Sequence, residues 1–338
     1  MRILVENGSW NNMGEGWYRF SLYYLLKTLY PNDDVIIGEG IITRDFKLGD
    51  RFKRCAFSLF DFEYADLHVF SGPVLPKQFL LYYAPKIKQI FARGGSYALI
   101  SISGTRMCSQ EIQEIGSFLR EYPPVFMSTR DTETYNTFNS YVDPIYDGVC
   151  TALLVSKTVP LSDLSYSFKR PFFISSYYTS PHPVYSLSDP NGEVCLDNLV
   201  IKNRKYLISF KYYRHIEFLF SHQAELNGVD IVHTMQDFNH LFKHVNFAYP
   251  NSFLSYNPLK YLELTRQSQF VVSDRVHACA IGLSYGKPVR FTFETSRAGI
   301  FTRLGLDYKS NYGKMILDPQ IIDDEYGNLV DQIKKYIG

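Results

Sequence analysis

Short apolar runs alternate with helix-like segments over the first 150 residues, and this alternation constrains the fold more than any other feature. The strand-like runs lie at residues 2–5, 34–37, 67–70, 87–91, 99–101 and 124–127, and the helix-like runs at 17–30, 77–83 and 109–122. Strands that alternate with helices pair in parallel, with right-handed crossovers between them. The first part of the chain therefore predicts an α/β fold with a parallel sheet.

A second alternating set, which includes a helix predicted at 258–267, begins near residue 206. It follows a stretch at 151–203 that is rich in Pro, Ser and Tyr, which we interpret as an interdomain linker with an irregular insertion. A chain of 338 residues exceeds what one core comfortably fills. We therefore expect two Rossmann-like domains, at 1–160 and 161–338, that face a cleft in a GT-B-like arrangement. An amphipathic helix at about 320–337 closes the chain and is placed to cross back to the first domain.

Composition excludes several classes of protein. The 35 basic and 34 acidic residues nearly balance, so we expect no nucleic-acid partner and at most peripheral association with a membrane. The 5 cysteines are scattered without Cys-x-x-Cys spacing, which argues against a zinc ribbon or a disulfide framework and favours a cytoplasmic protein. The first residues read as a strand with an early charge rather than a signal peptide, and no stretch approaches the roughly 18 apolar residues of a membrane helix.

Residues 271–289 place an arginine and a histidine where an apolar strand gives way to a helix. Ser273 or Asp274 can cap that helix. An arriving anion would meet the positive end of the helix dipole, the fixed cation of Arg275 and the imidazole of His277 together. The segment therefore predicts a site for a phosphate or a carboxylate.

The run Asp-Arg-x-His-Ala-x-x-x-Gly-x-x-x-Gly-Lys-Pro, from Asp274 to Pro288, resembles the C-terminal signature of the polysaccharide pyruvyl transferase family. The loop from Gly8 to Glu15 resembles the family's first loop. Later strand-and-turn elements of the family are matched in order by residues 65–72, 97–104, 128–134 and 145–148. Two positions depart from the family pattern: Glu15 replaces the usual Asp, and Gly72 stands alone where two or three glycines are common.

The resemblance implies a ketal pyruvyl transferase, which moves a pyruvyl group from phosphoenolpyruvate onto two hydroxyls of a sugar. The acceptor would be a cell-surface polysaccharide or its lipid-linked precursor. This chemistry needs cations or helix N-termini for the donor's phosphate and carboxylate, an acid for its methylene carbon, and a base for a sugar hydroxyl. It requires neither a metal nor another cofactor, and the sequence has no clustered metal ligands.

Arg275 as anion clamp and His277 as general acid agree with both their spacing and the resemblance. The alternatives are an ion pair between Arg275 and Asp274, and a capping or core role for His277. On the opposite domain, Glu15 is a candidate base or a partner of a sugar hydroxyl, and Asn12 a candidate acceptor-binding residue. Capping of the first helix is the alternative for Glu15.

The remaining donor-binding candidates follow predicted strands. Lys211 and Arg214 come after the strand at 206–210, where the family tends to have a basic residue; a solvated surface role is the alternative. His233 ends the next strand, and Ser71 precedes the lone glycine of its turn. Weaker candidates are Arg106, Arg130 and Asp131, and the Arg130-Asp131 pair is interpreted as fixing a structural turn.

Two functions from other classes stay open. A GT-B-type glycosyltransferase with a nucleotide-sugar donor would suit the same cleft, because fold does not fix function. The sequence offers no mark of a pocket for a uracil or guanine ring. A non-catalytic sugar-binding relative would explain Glu15 and the lone Gly72 as signs of decay, but intact Arg275 and His277 speak against it.

Overall fold

A computed structural model of the chain describes residues 1–6, 12–38, 62–76, 79–104, 106–162, 168–177, 183–202, 223–236, 250–310 and 313–337. Lys211, Arg214 and the predicted strand at 206–210 lie outside these ranges. Within them the chain forms two α/β units, each built on its own main sheet and called here the first half and the second half. Residues 147–171 connect the two units in sequence.

The sheet of the first half consists, in the described residues, of six parallel strands. They are β1 (Arg2–Val5), β2 (Asp34–Ile37), β3 (Leu67–Gly72), β4 (Ser96–Ile102), β5 (Met127–Thr129) and β6 (Ile145–Tyr146). Their order across the sheet is β2-β1-β3-β4-β5-β6. The chain changes direction across the sheet between β1 and β3, and ligands of such sheets bind beyond the carboxyl ends at that point.

Helices cover this first sheet. They are α1 (Met13–Leu29), a π-helical turn (Phe79–Tyr83) that continues into α2 (Ala84–Ala92), α3 (Ser109–Glu121) and α4 (Thr132–Phe138). The strand predicted at 87–91 is wrong, because these residues belong to α2. Ile87 and Ile90 are buried one helical turn apart, and the residues between them are exposed, so the apolar spacing was that of a helix.

The connection contains a 3₁₀ turn (Thr151–Leu154) and α5 (Val155–Thr158). The stretch expected to be irregular then contributes β7 (Phe172–Ser176) and a two-stranded ribbon of β8 (Val184–Leu187) and β9 (Leu199–Lys202). The expectation was wrong for β7, which is fully buried. A short strand buried on both faces has no polar alternation to distinguish it from its surroundings.

The second sheet is built around β7. Its other strands are β10 (Glu225–Leu226), β11 (Val229–Thr234), β12 (Ser252–Phe253), β13 (Val271–Ser273), β14 (Val289–Phe291) and β15 (Lys314–Met315). The order is β10-β11-β7-β13-β14-β15, with β12 paired to β11. The direction changes between β7 and β13, so the central parallel strands β11-β7-β13-β14 repeat the order β2-β1-β3-β4 of the first half, and Arg275 and His277 follow β13 at this point.

The helices of the second half are α6 (Pro258–Gln267), α7 (Val276–Ser284), a 3₁₀ turn (Ser296–Ala298) with α8 (Gly299–Thr302), and α9 (Pro319–Ile337). Helix α9 crosses back to the first half, as predicted: Tyr336 stacks on Phe126 with ring centroids 5.6 Å apart, and Asp323 pairs with Lys157. None of the described helices combines the length and apolar character that crossing a bilayer requires.

Candidate active site

Arg275 stands at the N-terminal end of α7, as the sequence predicted. Its backbone N–H donates to Ser273 Oγ over 2.8 Å, which fixes the turn between β13 and the helix. Its side-chain Nε lies 3.2 Å from Asp274 Oδ1, so the ion pair considered as an alternative is present. The Arg275 side chain is 29% exposed. Because a partly exposed ion pair is weak, the guanidinium can still bind an incoming anion.

His277 lies in the first turn of α7, where the two halves meet. A Cβ atom on Gly14, at the start of α1, would come within 2.8 Å of His277 Nδ1, so only glycine allows this approach. The ring of Tyr18 lies 5.2 Å from the imidazole. The backbone N–H of Met13 donates to the carbonyl of Gln236 over 2.7 Å and ties α1 to the second half.

The electrostatic setting of His277 is strongly positive. Burial lowers its pKa well below the ordinary value, and the charges of Arg130, Arg297, Arg19 and Arg275 lower it further. Two of these arginines belong to the first half and two to the second. The imidazole is therefore neutral near pH 7, until a negative charge offsets the guanidinium groups.

Glu15 and Asn12 lie on the α1 side of the same junction. The carboxylate Oε2 of Glu15 is 3.0 Å from Arg19 Nη1, and this ion pair is nearly buried. Asn12 is the N-cap of α1, where its Oδ1 accepts from the N–H of Gly14 over 3.0 Å. Both side chains thus have structural partners beside the predicted acceptor side.

Two buried hydroxyl groups lie near the carboxyl end of β3. They are Ser71 Oγ on the strand and Tyr18 Oη on α1, and neither has a hydrogen-bond partner among the described residues. Gly72 has φ +89° and packs so tightly on the phenol that any Cβ would collide with Tyr18 Oη. Burial raises the pKa of Tyr18, so the phenol stays protonated and can donate. The lone glycine of this turn is therefore required where it stands.

Arg130 follows β5 and is 3% exposed. Its Nε and Nη1 have no hydrogen-bond partner among the described residues. The neighbouring Asp131 is the N-cap of α4, with Oδ1 accepting from the backbone N–H and the hydroxyl of Thr134 at 2.8 and 2.7 Å. Asp131 thus fixes a turn, as interpreted from the sequence, and no described ion pair joins Arg130 to it.

The remaining predicted donor-binding residues are His233, Lys211 and Arg214. His233 is buried in β11, with Nε2 2.8 Å from the carbonyl oxygen of Gln223 at the edge of the second sheet. Lys211 and Arg214 lie outside the described residues.

Sequence reasoning ranked Arg130 only as a weaker site candidate and assigned no role to Arg297 or Tyr18. Arg130 and Arg297 follow the carboxyl ends of β5 and β14, and attention to every such strand end would have found both. Tyr18 had no signal, because an aromatic residue in a helix reads as core.

The junction thus combines a neutral imidazole, four guanidinium groups and two unpartnered hydroxyls. This arrangement can hold a ligand with more than one negative charge and transfer a proton beside it. Among the described residues, no three His, Cys, Asp or Glu side chains cluster so that they could hold a metal ion.

Comparison with known proteins gives one family and one fold. The family model for polysaccharide pyruvyl transferase matches residues 7–292. No curated protein matches the chain in sequence. Among solved structures, the S. aureus MnaA-UDP co-structure has 12% identity and a TM-score of 0.52, over 99% of this chain and 89% of that one. A putative UDP-N-acetylglucosamine 2-epimerase from Listeria monocytogenes has 12% identity and a TM-score of 0.51, over 98% and 88%. At this identity the likeness shows a GT-B-type fold alone.

Proposed function

The chain belongs to the polysaccharide pyruvyl transferase family, and we propose that it transfers a pyruvyl group from phosphoenolpyruvate to two hydroxyls of one sugar in a cell-surface glycan or its lipid-linked precursor. The observation that carries the proposal is the convergence of arginines from both halves on the imidazole of His277. A donor with a phosphate and a carboxylate needs this concentration of positive charge. The proposed location is the cytoplasm, including the inner face of the membrane.

Donor binding is assigned first to Arg275 and the N-terminus of α7. The uncapped N–H groups and the helix dipole favour a phosphate there, and the adjacent guanidinium adds charge-assisted hydrogen bonds. Ser71, His233, Lys211 and Arg214 stay candidates for further donor contacts.

His277 is the proposed general acid. It gives a proton to the methylene carbon of the donor, and a sugar oxygen then bonds to the neighbouring carbon while its hydroxyl proton leaves. Loss of phosphate opens this carbon to the second hydroxyl, whose proton also leaves, and the ketal is complete. Burial and the arginines together keep His277 neutral near pH 7, so the negative charge of the donor must raise its pKa for it to hold the proton.

The acceptor is assigned to the α1 side. Glu15 is the proposed base for the attacking hydroxyl, and Asn12 the proposed partner of a neighbouring one. The support is their position: Asn12 is the N-cap of α1 and Glu15 lies in its first turn, beside the Gly14 that approaches His277. The ion pair with Arg19 gives the Glu15 carboxylate a fixed orientation.

Release of phosphate from phosphoenolpyruvate in the presence of candidate glycans is the direct test. Phosphoenolpyruvate should also raise the thermal unfolding midpoint, because it binds the folded state alone. Nucleotide-sugars should not. A shift with a uridine or guanosine diphosphate sugar, together with none for phosphoenolpyruvate, would replace this proposal by the glycosyltransferase.

A further inference from the structure

We propose that Arg130 is a second anion-binding residue and that it takes the carboxylate of the donor, so that the donor bridges the two halves. This inference rests on the proposed function, because it assigns one of the two anionic groups of phosphoenolpyruvate. It gives a binding role to a residue that the sequence analysis named only as a weaker candidate and interpreted as fixing a turn.

The first argument is that the guanidinium of Arg130 is buried without its own counter-charge. The side chain is 3% exposed, and among the described residues Nε and Nη1 have no hydrogen-bond partner and no carboxylate forms an ion pair with the guanidinium. Its side-chain contact with Cys150 supplies no counter-charge, because burial raises the pKa of that thiol. The nearest acid in sequence, Asp131, uses its Oδ1 to cap α4. Buried charges in folded proteins are paired or hold a ligand, so an anionic ligand is the missing partner.

The second argument is that neutral donors gather beside this charge. Tyr18 Oη and Ser71 Oγ are also buried and without partners in the described structure. The charge of Arg130 acts on Tyr18, on His277 and on the thiol of Cys150, and the Tyr18 phenol packs directly on Gly72, the residue after Ser71. A guanidinium with two hydroxyls matches the acceptors of a carboxylate.

The third argument decides which anionic group goes where. The N-terminus of α7 with Arg275 is suited to phosphate, because several backbone N–H groups point out of a helix at that end. Arg130 also precedes a helix, α4, but the N-terminus of α4 is already capped by Asp131 Oδ1, whereas no side chain caps α7. The carboxylate is therefore left for Arg130, and the reacting carbons lie between the halves, beside His277.

The test compares Arg130→Gln with Arg120→Gln. Both substitutions remove one positive charge from the first half, but Arg120 is on α3 and donates to the carbonyl of Ser140. Three probes are used in thermal-shift titrations: phosphoenolpyruvate, inorganic phosphate and pyruvate, which has the carboxylate alone. Arg130→Gln should weaken binding of phosphoenolpyruvate and pyruvate by about 10- to 100-fold, the range for one hydrogen-bonded charge. Binding of inorganic phosphate, and all three affinities of Arg120→Gln, should stay near wild type.

A merely structural role for Arg130 is separated by two further readouts. The unliganded Arg130→Gln protein should unfold at the same temperature as wild type or higher, because an unpaired buried charge is removed. A large drop would assign Arg130 to the fold instead. The pH above which kcat/KM falls should also move upward, because His277 loses one of the charges that lower its pKa. Arg130→Lys keeps the charge, so the pH above which kcat/KM falls should stay as in wild type, while donor binding should become weaker.

The outcomes separate this inference from the proposed function. If wild type turns over phosphoenolpyruvate and Arg130→Gln binds phosphoenolpyruvate and pyruvate as tightly as wild type does, the inference is overturned and the proposed function is kept. Equal loss of phosphate and pyruvate binding overturns the assignment to the carboxylate. Pyruvate binding that depends on Arg130, with no turnover of phosphoenolpyruvate on any acceptor, retains the site and removes the proposed function. No protection of wild type by pyruvate or phosphoenolpyruvate overturns both.

Discussion

The two halves order their central parallel strands alike, but they differ in how buried polar groups near the carboxyl ends of those strands are hydrogen-bonded. Beyond β7 and β13, Ser273 Oγ donates to the carbonyl of Ser176 over 2.6 Å and accepts from the N–H of Arg275 over 2.8 Å. Near the ends of β3 and β5, Ser71 Oγ, Tyr18 Oη and the Nε and Nη1 atoms of Arg130 are buried without a hydrogen-bond partner in the part of the chain that the structure describes.

This difference suggests a division of work. The second half fixes its own turn by hydrogen bonds and so holds Arg275 and His277 rigidly at the start of α7. The first half leaves donors unsatisfied, which costs stability and is retained in proteins where a ligand completes the set. The predictions below break or sharpen this comparison.

The largest effect is expected at His277. His277→Asn should leave donor affinity nearly intact and lower kcat by about two to four orders of magnitude, the usual contribution of a general acid. In wild type kcat should fall as pH rises through the pKa of His277 in the donor complex, and this limb should be absent from the variant. Turnover near the wild-type value, measured with a true acceptor, would remove His277 from the mechanism and make Glu15 the next residue to test.

The next largest effect concerns the turn at Gly72. Gly72→Ala should reduce the free energy of unfolding by about 3 kcal/mol, because an unfavourable left-handed φ and a collision with Tyr18 Oη add together. Gly94→Ala is the control: its φ is also positive, +75°, but no atom lies within 4 Å of the added Cβ. Its loss should be about 1–2 kcal/mol, from the backbone alone. Equal losses in urea unfolding would show that the Tyr18 contact has no weight.

Arg275→Lys tests the phosphate side. The ammonium keeps the charge but cannot reproduce the planar fork of hydrogen bonds, so donor affinity should fall about 10-fold, or about 1.4 kcal/mol. The affinity for inorganic phosphate should fall in parallel, whereas in Arg130→Gln it should stay near the wild-type value. An unchanged phosphate affinity, by calorimetry, would mean that the pair with Asp274 is the whole role of Arg275.

A matched pair of tyrosines tests whether the unpartnered hydroxyls serve binding rather than stability. Tyr97 Oη donates to the carbonyl of Tyr122 over 2.6 Å, so Tyr97→Phe should cost about 1 kcal/mol of unfolding free energy and leave donor affinity unchanged. Tyr18→Phe should cost no stability, since no bond is lost, but should weaken phosphoenolpyruvate. A destabilised Tyr18→Phe with normal donor affinity would reverse this interpretation of the first half.

The parts of this molecule that could be predicted from sequence are those that local rules determine. Helix α6 matches its predicted range because Asn257 caps it and Pro258 occupies its first turn, and α9 shows its apolar spacing openly. The anion site at α7 follows from a strand, a cap and a helix within 20 residues.

The rest depends on contacts between distant parts of the chain. The approach of Gly14 to His277 results from how the two halves pack, and the contact of Gly72 with Tyr18 results from how α1 packs on β3. Strand β7 was missed for a related reason: only its place at the centre of the second sheet explains why a short apolar run among Pro and Ser is a strand.

The smallest effect is a dependence of stability on pH. The pKa of His277 is lowered well below 6.5 in the folded protein and returns to about that value on unfolding. Below pH 6.5 the unfolded chain therefore binds a proton that the folded chain does not, and the folded state loses stability as pH falls. In urea unfolding from pH 7.5 to 5.5, the stability of wild type should fall relative to that of His277→Asn, and the difference should grow toward low pH. Inorganic phosphate, by offsetting the arginines, should reduce the wild-type slope, and a slope indifferent to phosphate would mean that the anion does not bind beside His277.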